Sequence, residues 1–174
     1  MMHLGLAALL ATFATAQPPA EDIERGLHLR MMLNGSSILG APGRDVPLGY
    51  TFRPSIGYEL QSGLAGFLAL SYTRWSTNIG LEWQLAAEAG ARFTLRRGRW
   101  LPWGELAVGW GQLVDPLITV DIGVRSSGAL GLDFLASETV RAGVRVGLER
   151  IDGGNPSHAT LWLDAGLVAT FFLL

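Results

Sequence analysis

Cysteine and lysine are both absent from the 174 residues, and charge of either sign is scarce, at 16% of the chain. Without cysteine there are no disulfide staples, no thiolate zinc sites and no cysteine nucleophile. Thirteen arginines against 15 acids leave a formal net charge of −2, which excludes a polybasic nucleic-acid footprint. No run of like charges marks an acidic or basic tail. Metal-ligand spacings are missing, and the glycines do not follow a strand–helix phosphate motif, so neither metal nor cofactor is expected. What the chain has in quantity is apolar residues, 49%, and 23 glycines. Its length suits one domain with one core.

The N-terminal residues 1–16 read MMHLGLAALLATFATA, with an uncharged apolar segment from Leu4 to Phe13. That segment has the length of a signal-peptide core and is too short for a transmembrane helix. Ala14-Thr15-Ala16 supplies a small-x-small cleavage pattern, and Gln17-Pro18-Pro19 stops a continuing helix. The n-region is atypical, carrying only the terminal amine and His3. The expectation is a cleaved signal peptide at 1–16, a periplasmic lead at 17–25 and one domain over 26–174. The competing reading is an apolar helix packed on that domain.

From residue 26 onward hydrophobicity alternates with period two. In the stretch 79–95, the odd positions hold Ile79, Leu81, Trp83, Leu85, Ala87, Ala89, Ala91, Phe93 and Leu95, while Glu82, Glu88 and Arg92 fall on even ones. A helix would stack Leu81, Leu85, Glu88 and Arg92 on one face; a strand separates every charge from the apolar row. Eight such rows succeed one another, within 27–33, 48–60, 64–72, 79–95, 102–110, 118–136, 140–148 and 159–173. Their apolar sides carry no charge. Their other sides carry Arg30, Arg53, Glu59, Glu82, Glu88, Arg92, Glu105, Asp121, Arg125, Asp133, Arg141, Arg145 and Asp164.

A soluble sandwich or lipocalin would wet the charged side. An eight-stranded antiparallel transmembrane β-barrel inverts the pattern, with the apolar face outward in lipid and a polar packed lumen. The inverted arrangement fits better. An outward Arg at the bilayer midplane costs ~2–4 kcal/mol, and the apolar sides have none. The charged sides lack lysine and are rich in glycine, as a narrow interior requires beside large side chains. Their six arginines and seven acids nearly balance, which suits guanidinium–carboxylate pairing in a closed space. This lumen network is expected to be structural, so that Arg92→Ala or Arg145→Ala destabilises the barrel.

Connections are expected to alternate. Tight turns fall at Gln61–Gly63, Arg96–Arg99 and Ser137–Thr139, and looser connections on the opposite side: a long one at Gly35–Asp45, a medium one at Trp75–Asn78, a short outer loop at Val114–Pro116 and a longer one at Asp152–His158. Trp75, Trp100 and Trp103 lie near row ends, either in an interfacial aromatic girdle or packed as strand caps. Several rows exceed the ~9–11 residues of a spanning strand and would project beyond the membrane. Such projections either bind a partner by strand addition or are plain overhang.

In architecture, residues 26–174 resemble the small eight-stranded outer-membrane β-barrels of the OmpA/OmpX type. Asp164-x-Gly166-x-x-Ala169-x-Phe171 resembles the signal by which barrel-assembly machinery selects its clients. The chain ends in Phe171-Phe172-Leu173-Leu174, where bacterial members end in Phe. The resemblance implies a bacterial outer-membrane location, contact with outer-membrane lipids and the assembly machinery, and a monomer. Eight strands leave room for side chains and no open pore. The expected role is structural or surface-interacting and non-enzymatic. One alternative is a lipid-modifying enzyme using His158, Ser157 and Asp152, beside Thr160, at the outer rim. Another is a soluble barrel whose apolar side lines a ligand cavity.

Overall fold

The computed structural model describes residues 26–39, 48–77, 80–96, 98–114, 120–152 and 160–173. The signal peptide and periplasmic lead expected at 1–25 lie outside them, as do Ser157 and His158. Eight strands follow in chain order: β1 (Gly26–Ile38), β2 (Leu48–Glu59), β3 (Leu64–Thr77), β4 (Gly80–Thr94), β5 (Trp100–Val114), β6 (Val120–Leu135), β7 (Val140–Asp152) and β8 (Thr160–Phe172). Each pairs antiparallel with its neighbours, and β8 returns to β1, so the sheet is a closed barrel. Closure satisfies the backbone of both outermost strands, which an open sheet would leave unpaired.

The register fixes the shape. Following outward residues across the ladder leads from Leu29 through Ile56, Leu68, Ala89, Val108, Ser126 and Arg150 to Leu161. The next bond, from the Leu39 N–H to the Leu161 carbonyl, returns to the first strand ten residues beyond Leu29. With ~3.4 Å per residue and ~4.8 Å between strands, that stagger implies a tilt of about 40° and a backbone radius of roughly 8 Å.

Side chains alternate between interior and exterior along every strand, in the phase expected from the sequence. Thirty-two large apolar side chains of the described residues are exposed on the outside, among them Leu106, Leu130 and Leu167. The charged parity points inward. This overturns the alternative in which the apolar parity lines a cavity.

Both ends of the described chain, Gly26 and Leu173, lie at the same end of the barrel as the connections after β2, β4 and β6. The first of these closes with the Gly63 N–H donating to the Leu60 carbonyl at 3.0 Å. Gly63 has φ +82°, and a Cβ there would sit 2.3 Å from the Thr94 carbonyl oxygen, so glycine is required. At the opposite end the expected contrast in loop length holds only in part. Strand β3 runs to Thr77 and β4 starts at Gly80, so two residues replace the loop expected at Trp75–Asn78. Alternation through Trp75 continues the ladder as far as the Thr77–Gly80 pair.

Lumenal glycines mark close approaches. A Cβ on Gly131 would meet the Trp103 ring at 2.1 Å and the Val144 carbonyl at 2.5 Å, whereas one on the outward Gly66 would meet nothing within 4 Å. Gly131→Ala is therefore expected to cost ~1–3 kcal/mol through overpacking. Gly66→Ala should be neutral or slightly stabilising, by less than ~1 kcal/mol. Thermal unfolding followed by far-UV circular dichroism checks both.

Candidate functional site

Among the described residues, period-two alternation and closure together force thirteen charged side chains into the lumen, all at most 5% exposed. Twelve are among those the sequence singled out: Arg30, Arg53, Glu59, Glu82, Glu88, Arg92, Glu105, Arg125, Asp133, Arg141, Arg145 and Asp164. The thirteenth is Glu149, one step beyond the last lumenal residue read in its row. Continuing the parity by two positions would have found it. Asp121 belongs to β6, and its side chain lies outside the described residues.

These groups sort by height. Near the end that holds Gly26, Glu59 receives Arg141 Nη1 at 2.9 Å, Arg96 Nη2 at 3.1 Å and Arg92 Nη2 at 3.5 Å. Arg92 also lies 3.2 Å from His28 Nε2, and Arg141 stacks over Phe172. Arg96 comes from the β4–β5 turn and went unread as a lumen residue, since it follows the last lumenal position of its row. One step in, Arg30 stacks 4.1 Å over Trp103, whose Nε1 donates to Asp133 at 2.7 Å.

The middle of the barrel holds a continuous lattice. Arg53 bridges Glu88 at 2.8 Å and Glu105 at 2.7 Å. Arg125 bridges Glu88 at 2.9 Å and also binds Glu149 and Ser71. Arg145 reaches Glu105 at 3.5 Å and Glu149 at 3.2 Å, and pairs with Asp164, which accepts Asn34 Nδ2 at 2.7 Å. Counting Ser71 and Asn34, this lattice links residues of all eight strands.

Above it sits an apolar plug. Trp75 and Trp162 meet edge to face at 5.5 Å and pack with Ile38 and Ile151, with Leu113 against them. Trp162 Nε1 donates to Glu149 at 2.8 Å, tying the plug to the lattice. Of the two readings of these tryptophans, packing and not the outer girdle holds for Trp75 and Trp103. Both lie on the lumenal parity and are buried, and only Trp100 points outward.

Most of the described outward aromatics fall in two belts, apart from Phe52 and Phe93 and from Trp83, which pairs with Arg74 and Val114 beyond the upper one. Trp100 and Trp110 stand on one face of β5, ten residues apart, or ~26 Å along the axis at a tilt of about 40°. Tyr58, Phe134 and Phe171 accompany Trp100, and Tyr50 and Tyr72 accompany Trp110. A spacing near 25 Å is that of the apolar band between the aromatic girdles of outer-membrane barrels. Beyond the Trp110 belt, β1, β3, β5 and β7 outrun the rows read from the sequence. Their described outward faces there gain charge at Arg74, Arg150 and Asp152.

Apart from Thr160 at the start of β8, Asp152 is the one member of the alternative catalytic set within the described residues. Its Oδ1 accepts Arg150 Nε at 2.8 Å and Nη2 at 2.5 Å on the outer surface. Among the described residues no cluster of His, Asp and Glu has a metal-holding arrangement. Asp164 and Gly166, read as part of an assembly signal, are engaged in the finished barrel. A Cβ on Gly166 would lie 2.2 Å from the Leu33 carbonyl oxygen, while Ala169 and Phe171 face outward. The upper ends of β4 (Gly80–Glu82) and β6 (Val120–Gly123) pair on one side only among the described residues.

No protein-family model and no curated protein matches the chain. Solved structures of similar fold include Neisserial surface protein A, at 11% identity and a TM-score of 0.68, over 85% of this chain and 97% of that one. The outer membrane enzyme PagL matches at 13% identity and a TM-score of 0.54, over 84% and 99%. Ail, the attachment invasion locus protein of Yersinia pestis, matches at 13% identity and a TM-score of 0.53, over 85% and 100%. At these identities the likeness establishes the fold: the closed eight-stranded architecture of small outer-membrane barrels.

Breaking the lattice and breaking the surface pair should differ. Arg145→Ala takes from Asp164 its arginine and from Glu105 and Glu149 one of two, and is expected to cost ~3–5 kcal/mol. Arg150→Ala, on the exposed pair with Asp152, should change stability by less than ~1 kcal/mol. Urea unfolding of the two variants in parallel reads the contrast.

Proposed function

We propose that this chain is an integral protein of the bacterial outer membrane, exported by the segment 1–16, with a structural or surface-interaction role. It carries no chemistry of its own and no continuous pore. One observation bears most of the weight: a charge-free apolar belt faces outward around a lumen filled by ion pairs and stoppered by Trp75 and Trp162. A belt of that size in water is an aggregation surface, and in lipid it is the resting state. Likeness in fold to small outer-membrane barrels supports the same location. The C-terminal strand, with Asp164, Gly166, Ala169 and Phe171, is the segment that barrel-assembly machinery would read, and a monomer is the working state. The lipid-modifying alternative gains nothing specific from the geometry, since Asp152 is held by Arg150.

Membrane-extracted protein run in SDS, unheated beside boiled, tests the location and the closed barrel together. Faster migration of the unheated sample is expected. Recovery in the soluble periplasmic fraction with no mobility difference would sink the reading. In planar bilayers the same sample should give no unitary conductance, and steady channel steps from the intact barrel would contradict a plugged lumen.

A further inference from the structure

The outer surface carries a groove of about 620 Å³ that runs diagonally across the strands between two ladder rows. The lower row is Leu64, Phe93, Gly104, Leu130 and Val146, and the upper is Ala91, Leu106, Gly128, Leu148 and Leu163. Gly104 and Gly128 form its floor, because neither supplies a side chain, while Phe93, Leu106, Leu130 and Leu148 wall it. Cβ atoms at the two glycines would come within 3.3 Å of Leu130 and Leu106, so substitution fills the trough. Across four strand spacings it is ~19 Å long, against a half-thickness of ~15 Å for a bilayer's hydrocarbon core.

The row directly above the groove differs in kind. It pairs Ser126 with Arg150, each two residues beyond the Gly128–Leu148 pair. Arg74, the other outward arginine on a described strand face, stands four strands away on β3. Arg150 meets Asp152 through Nε and Nη2, so Nη1 takes no part in that pair. Its guanidinium therefore stands at the upper end of an apolar trough, with a hydroxyl beside it and Trp110 on the strand beyond. An apolar chain in the trough and a hydrogen-bonding anion at its head describe one kind of molecule.

We propose that this face of β4–β8 is a docking site for a phosphate-bearing membrane lipid, one acyl chain lying over Gly104 and Gly128 and the phosphate held by Arg150 and Ser126. The assignment rests on the membrane-spanning reading above. Of the two outward arginines on described strand faces, Arg150 is the one that stands over this groove, so this groove selects by head group through a charge-assisted bond to phosphate.

The test uses the full chain in dodecyl maltoside, with lipid retention read by native mass spectrometry. Dioleoyl phosphatidylglycerol is compared with dioleoylglycerol, which lacks the phosphate, and with inorganic phosphate, which lacks the chains. An unheated gel shift is run on every sample to verify the barrel. Phosphatidylglycerol should be retained by the wild type at least about tenfold more tightly than by Arg150→Gln, the worth of one hydrogen bond to a charged group. Gly128→Leu should weaken it comparably, and Arg150→Lys should keep most of it. Equal retention by Arg150→Gln with the gel shift intact overturns the proposal. So does dioleoylglycerol binding as well as phosphatidylglycerol, or inorganic phosphate competing it away. Arg150→Gln alters only an exposed pair and decides the matter even if Gly128→Leu does not fold. Loss of the gel shift in the wild type would instead remove the membrane reading itself.

Discussion

Among the described residues, thirteen charged side chains share a tube of roughly 8 Å radius, and none of them can reach bulk water without leaving it. A guanidinium or carboxylate in such a place is costly alone and tolerable only when paired and hydrogen-bonded. The structure meets that demand by sharing. Arg53, Arg125 and Arg145 each bind at least two carboxylates, and Glu88, Glu105 and Glu149 each bind at least two arginines. Arginine suits this arrangement because its planar fork offers several fixed donors, where lysine offers one compact charge. The absence of lysine from the chain fits an interior organised by forks.

Everything outside the lattice follows from having placed it inside. Period two sends the alternate residues outward, so a charged interior leaves an apolar exterior. Glycine enters where an arginine or tryptophan needs space: Gly131 beside Trp103, Gly147 beside Arg145 and Asp164. The charges are also distributed unevenly along the axis. Three arginines crowd around Glu59 at the end that holds Gly26, the middle lattice has its acids in slight excess, and the far end is closed by indoles and aliphatics. That plug sets packed indoles and aliphatics beside the buried Glu82 near the level of the outer aromatic belt, and Trp162 joins the two regions through Glu149.

Most of this was legible in the sequence, for a physical reason. Alternation is a local property, so eight rows, their phase and the inward parity of the arginines could be read without knowing which strands pair. Where strands end is not local. Trp75 continues the parity of β3, yet its proximity to Ser76, Thr77 and Asn78 reads as a loop, because the ladder that extends it comes from β4. Glu149 and Arg150 were missed for the same reason, the row having been closed at Leu148. Pairings such as Arg53 with both Glu88 and Glu105 depend on curvature and stagger, which parity does not encode. The candidate site was therefore legible as a set of residues and not as a set of contacts. The groove over Gly104 and Gly128 was invisible, since it exists only between rows brought together by register.

A chain with no native cysteine is suited to single-cysteine scanning, and that is the most direct test of which face meets which medium. Spin labels would be placed at Leu106, Val108, Leu130 and Val146 on the outward parity, and cysteines at the buried Ala107 and Ser127, in the protein reconstituted in bilayers. The outward labels should relax with oxygen and ignore a water-soluble nickel chelate, with the effect strongest at mid-depth, while the inward cysteines stay unreactive to water-soluble reagents. Nickel accessibility along the outward parity, or ready aqueous labelling of Ala107→Cys and Ser127→Cys, would contradict a charged, sealed interior wrapped in lipid.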